Sequence, residues 1–147
     1  MPAKGLLLHF FTNVAVVGDV SSELARVGFG RIHHRLLFFA AHAPGLTVSE
    51  LLEVLRVTHQ NIRLPMKHLL DKGFLRVEID AIDRRQKRLF VTEEGQRLIE
   101  SLLGAQLERI KKVFDAVPDE DIETFLRLHE MMIDEKDRQM LRRMWGG

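Results

Sequence analysis

The sequence predicts a mainly helical α+β fold in which several helices surround one charged β-hairpin. Three observations carry that expectation. Apolar residues recur at helical spacing through most of the chain, whereas Leu75, Val77 and Ile79 alternate with Arg76, Glu78 and Asp80, and Leu89 and Val91 repeat that period of two after a charged loop. Turn-forming residues, among them GFG at 28–30, Pro44-Gly45, Gly73 and Pro118, separate the periodic segments.

In order, Leu6, Leu7, Phe10, Phe11, Val14 and Val17 predict a first amphipathic helix from about Leu6 to Arg26, weakened at Gly18 and Asp19. His9 and Asn13 interrupt its apolar run and no small-residue cleavage site follows, so it reads as a helix rather than a targeting segment. No run in the chain reaches the ~20 consecutive apolar residues of a membrane span. RIHHRLLFFAAHA is apolar on most faces and predicts a buried helix ending at Pro44-Gly45. Thr47 or Ser49 can cap a short helix over SELLEVL, and Thr58 can cap the next, because a hydroxyl oxygen accepts the unpaired N–H groups of a first turn.

From Thr58 to Lys72, Ile62, Met66, Leu69 and Leu70 share one helix face, with Gln60, Asn61, Leu64, Lys67 and His68 roughly opposite and Arg63 on the flank. Pro65 lies inside that helix, where it removes the N–H that would bond the Asn61 carbonyl, at about 3 kcal/mol in an ordinary helix interior. A kink, or a helix starting later, is expected there. Gly73 ends the helix. FLRVEID and KRLFVT then alternate as two strands of a hairpin, joined by a loop of about six residues that holds Asp83, Arg84 and Arg85. Thr92 with Glu93 and Glu94 starts a helix expected to reach about Ala116, and a last helix follows Pro118.

At 147 residues, with 46% apolar and 29% charged residues, the chain fits one folded domain. The absence of cysteine excludes disulfides and thiolate metal sites and suits a reducing cytoplasm. The net charge is only +1, yet residues 56–90 hold nine cations against four anions. A basic patch inside a neutral chain is the footprint of a surface that meets phosphate. Helix, short helix, turn, helix and charged hairpin is the winged helix-turn-helix order, in which the second helix of the pair fits the major groove and the hairpin reaches phosphates or the adjacent minor groove.

Residues 46–95, from Leu46-Thr47 through the helix closing in Leu-x-x-x-Gly to the wing motif Asp83-Arg84-Arg85 and the return Val91-Thr92-Glu93-Glu94-Gly95, resemble the core of MarR-type transcriptional regulators. The resemblance implies a winged helix-turn-helix with a two-stranded wing in residues 31–92, and N- and C-terminal dimerisation helices in 1–27 and 93–147. It further implies a homodimer binding double-stranded DNA at a palindromic operator, most often as a repressor. Arg85 maps to the wing tip, and Asp83 to the residue that holds the wing in shape.

The candidate DNA-binding residues are Thr58, Gln60, Asn61, Arg63, Lys67, Arg84, Arg85, Lys87 and Arg88. Gln60 and Asn61 carry the paired donor and acceptor that can read adenine, whereas Lys67 and Arg88 suit phosphate. Relatives often hold a small aromatic or anionic effector between the dimer helices and the lobe; His9, His33, His34 and Arg35, near Phe10, Phe38 and Phe39, are the candidates here. No HExxH and no i, i+4 histidine pair occurs among the seven histidines, so neither a metal nor another cofactor is expected. No G-x-S-x-G elbow, phosphate loop or dinucleotide motif occurs either, which argues against an enzyme. The alternative is a winged helix used for protein association, its hairpin cations meeting an acidic partner.

Overall fold

The computed structural model describes residues 1–146 and has eight helices and three short strands. In chain order these are α1 (Pro2–Gly18), α2 (Ser21–Arg26), α3 (Arg31–His42), β1 (Leu46–Thr47), α4 (Val48–Leu55), α5 (His59–Asp71), β2 (Leu75–Ile79), β3 (Lys87–Val91), α6 (Glu93–Phe114), α7 (Asp119–Met132) and α8 (Glu135–Trp145). The fold is mainly helical, with an antiparallel sheet in the order β1-β3-β2.

The winged lobe is built around α3, whose Leu36, Leu37 and Ala40 are buried. Leu51 of α4, Leu69 of α5, Leu46 of β1 and Leu89 of β3 close over it, and Ile99 and Leu102 of α6 seal the other side. Each leucine side chain removed from water contributes roughly 2 kcal/mol. The hairpin pairs Leu75 with Val91, Val77 with Leu89 and Ile79 with Lys87, so its inward face is anchored at Leu75 and Leu89. Ile79, nearest the tip, is exposed, and the wing therefore projects beyond the core.

Four sequence expectations change. The first helix is two, interrupted over Asp19 and Val20, where Asp19 caps α1 and pairs with Arg109 of α6 at 2.6 Å while Val20 is buried in the core. Residues Pro2–Arg26 have a mean hydropathy of 1.2 over their most apolar window, long and apolar enough to cross a membrane although no uninterrupted apolar run predicts it. The break at Asp19 and the burial of Val20 and Leu24 in the lobe's core tie this segment to the fold. The wing hairpin has a third strand beside it, since Leu46-Thr47 pairs with Leu89 and Arg88. The last helix is also two, broken at Ile133-Asp134, so that α8 turns back onto α4. There Met140 and Met144 pack against the core, Arg143 donates to Glu50 at 3.0 Å, and Arg56 donates to Asp137 at 2.7 Å.

α1 and α7 bury no residue of their own. Leu6, Phe10 and Phe11 of α1, Leu107, Ile110 and Val113 of α6, and Phe125 and Met131 of α7 all remain exposed.

Candidate nucleic-acid interface

The pair α4 and α5 is fixed by two reciprocal caps. Thr47 Oγ1 accepts from Glu50 N–H while Glu50 accepts from Thr47 N–H at 2.8 Å, and Thr58 with Asn61 repeats the arrangement one helix later. Between them Arg56 makes the sharp turn in the left-handed region, at φ 52°. It is the one non-glycine residue with positive φ among the described residues, and Asp137 of α8 and Asp134 just before that helix hold its guanidinium.

α5 runs from His59 to Asp71 through Pro65, so the proline does not delay its start. Ile62 and Leu69 face the core, leaving Gln60, Arg63, Leu64 and Lys67 exposed. Asn61 sits differently from the expectation, because its Oδ1 accepts from Thr58 and is committed to the cap. Lys67 pairs with Asp71 one turn on, and Thr58 is the cap itself. Among the described residues Arg63 makes no ion pair.

At the wing, Asp80 rather than Asp83 is the principal brace. Its Oδ1 accepts from Ile82 N–H at 2.7 Å and Asp83 N–H at 3.1 Å, and its Oδ2 accepts from Arg88 Nε at 2.5 Å. The two backbone N–H groups, then Arg88, hold the Asp80 carboxyl below its ordinary pKa. Arg88 also donates to the Gly45 carbonyl at 2.8 Å, so it joins wing, sheet and the turn after α3 and is not a free phosphate contact. Asp83 Oδ1 accepts from the backbone N–H of Arg85 at 3.1 Å and from its Nε at 3.2 Å. The Arg85 side chain is nonetheless 92% exposed. Arg84 and Lys87 are exposed as well and, among the described residues, carry no ion pair.

Between α5 and the wing lies a cleft of about 880 Å³. Arg63 and Lys67 stand on its helix wall and Arg85 and Lys87 on its wing wall, with Gln60 also lining it. Asp71, paired with Lys67, lines it as well, so the groove carries four cations against one acid and is arranged to take a polyanion.

The four effector candidates are not brought together. His9 is exposed on α1, its ring 6.5 Å from His129 of α7. His33 accepts from Gly30 N–H at Nδ1, which places its proton on Nε2, and that N–H donates to His68 Nδ1 at 3.1 Å in the seam between α3 and α5. Burial first, then His68 and Lys72, lower its pKa. His34 and Arg35 line a separate cavity of about 420 Å³ between α1, α2, α3 and α6, with Phe38 and Gln106. His34 Nε2 is buried there without a hydrogen-bond partner, and burial lowers the pKa of its ring. No group of three or more metal-ligating side chains occurs among the described residues.

Comparison with known proteins accords with this geometry. The model of the MarR family matches residues 27–86. HTH-type transcriptional regulator PetP of Rhodobacter capsulatus is 32% identical over 131 residues, covering 89% of this chain and 79% of that protein. Among solved structures, an S. aureus MepR mutant bound to an oligodeoxyribonucleotide is similar at a TM-score of 0.60 and 20% identity, over 86% of this chain and 94% of that one. CouR of Rhodococcus jostii, bound to p-coumaroyl-CoA, is similar at a TM-score of 0.68 and 23% identity, over 86% of this chain and 88% of that one. The family model spans the lobe from just before α3 to the wing loop and the similarity to PetP spans most of the chain, and the chain belongs to the MarR family of winged helix-turn-helix transcriptional regulators.

Proposed function

We propose that the protein represses transcription by binding a palindromic operator in double-stranded DNA as a homodimer, in the cytoplasm, and that a small aromatic or anionic effector releases it. The observation that carries this reading is the cleft with Arg63 and Lys67 on one wall and Arg85 and Lys87 on the other. Its helix wall suits the major groove and its wing wall the phosphates or minor groove beside it. The exposed apolar faces of α1, α6 and α7 support dimerisation through residues 1–27 and 93–147, because a patch of that extent calls for a cover. A two-fold dimer presents two lobes, and hence favours half-sites about one helical turn apart.

The cavity beside His34 and Arg35 supports an effector site where α1 and α2 meet the lobe. An unpartnered imidazole nitrogen and a neighbouring guanidinium suit a carboxylate, and Phe38 suits a ring. The bound CoA thioester in CouR and the bound oligodeoxyribonucleotide in MepR are ligands of the same two classes in proteins of this fold.

A gel-shift titration on DNA flanking the protein's own gene tests the reading. Binding should prefer one palindrome and weaken steeply with salt, by close to 0.9 in log–log slope for each phosphate neutralised. A binding curve indifferent to sequence and salt would refute it, and sedimentation showing a monomer at operator-binding concentrations would refute the dimer.

A further inference from the structure

Leu64 stands at the centre of the outward face of α5. It lies two residues from buried Ile62, which turns it by about 200° on the helix. Gln60 sits one turn before it and Lys67 and His68 one turn after, and Gln60 and Lys67 line the cationic cleft. Leu64 is 59% exposed, the one large apolar side chain on a face otherwise made of polar groups. Pro65 follows it and, lacking an N–H, adds no donor beside it.

A lone exposed leucine means little on most surfaces. Here its place decides its meaning. Arg63 and Lys67 draw a polyanion onto the cleft side of this face, and Leu64, beside them and turned directly away from the core, is the side chain a groove-bound α5 would present to the base edges. A leucine there can neither donate to guanine nor accept from cytosine. The feature of the major groove that an alkyl side chain recognises is the C5-methyl group that thymine carries and no other standard base does.

We propose that Leu64 is a specificity-determining residue that reads a thymine methyl group in each operator half-site. The inference rests on the DNA-binding reading above. Arg63 and Lys67 supply the sequence-independent attraction, Gln60 a hydrogen-bonded base contact, and Leu64 excludes water from one A·T pair between them.

Deoxyuridine keeps every base-pairing group of thymidine and lacks only the methyl, so it isolates the contact. An operator duplex defined by footprinting is scanned with single thymidine-to-deoxyuridine replacements and titrated by fluorescence anisotropy with the full-length protein and with Leu64→Ala. Wild-type protein should lose about fourfold in affinity at one position of a half-site, the worth of one buried methyl-sized group, and about sixteenfold with both half-sites replaced. Leu64→Ala should bind the thymidine and deoxyuridine operators equally while retaining its salt dependence and melting temperature. If no position is methyl-sensitive, or if Leu64→Ala keeps the discrimination, the proposal fails while the DNA-binding reading stands. If wild-type protein prefers no duplex over another, both fail, and Leu64 then belongs to a contact with another protein.

Discussion

Replacing Gly95 with alanine should destabilise the protein by about 1–4 kcal/mol, although alanine is the better helix former. Gly95 is in the first turn of α6, directly against the backbone at the foot of the wing. A Cβ there would lie 2.1 Å from the Phe74 carbonyl oxygen and 3.3 Å from Leu37 Cδ1. A carbon and an oxygen need about 3.3 Å, so helix and strand must separate by more than about 1 Å. The separation would break the bond from Thr92 N–H to the Phe74 carbonyl, now 3.1 Å, and strain the one from the Thr92 hydroxyl to the Gly73 carbonyl. Overpacking costs about 1–3 kcal/mol and each lost hydrogen bond about 1 kcal/mol. Gly104, on the same helix, would bring its Cβ within 4 Å of nothing, so Gly104→Ala should gain up to about 1 kcal/mol. Urea unfolding followed by circular dichroism, at one protein concentration, compares the two. A Gly95→Ala protein within about 1 kcal/mol of wild type would show that the close approach does not govern this joint.

Arg85→Ala should weaken operator binding about tenfold and reduce the salt slope by about one unit, as measured by anisotropy at several salt concentrations; an unchanged slope removes Arg85 from the contact. Asp80 has a lowered pKa in the folded state, so its stabilising contribution is complete above the ordinary value of 3.8 and is lost as pH falls toward the lowered one. Asp80→Asn should therefore flatten the acid limb of the stability–pH profile in urea titrations, and an acid limb unchanged by the substitution would assign it to other carboxylates. His33 and His34 have pKa values lowered from 6.5, so the unfolded chain binds more protons below that pH and stability should fall on acidification from about pH 6.5 downward. His34→Leu should shrink that fall in urea titrations between pH 7.5 and 5; an unchanged profile would assign it to other groups.

Local chemistry made much of the fold legible. Thr47, Thr58 and Thr92 cap helices whose first turns follow them directly, Gly73 supplies the left-handed turn, and the hairpin's alternation matches the pleat. What stayed hidden depends on partners distant in sequence. At the interruption of the first helix Asp19 meets Arg109, 90 residues away, and β1 is a strand only because Leu89 lies opposite Leu46. At the site, the exposed wing cations could be read from composition, but Arg88 could not be told from its neighbours without Gly45 beside it. Asp80 did leave a signal, since an aspartate two and three residues before unpaired N–H groups is a turn former. The seam between His33 and His68 left none, because adjacent histidines on a helix do not announce which helix they will meet.

The joint at Gly95 makes α6 a lever. At 22 residues the helix is a rod about 33 Å long, fixed at its first turn with backbone against backbone, packed on the core through Ile99 and Leu102, and tied to Asp19 only at Arg109. A tilt of about 5° at that pivot moves the far end by about 3 Å, close to the rise of one base pair. The far end carries Leu107, Ile110 and Val113, so a cover over those exposed residues would bear on the rod where its arm from the wing joint is long.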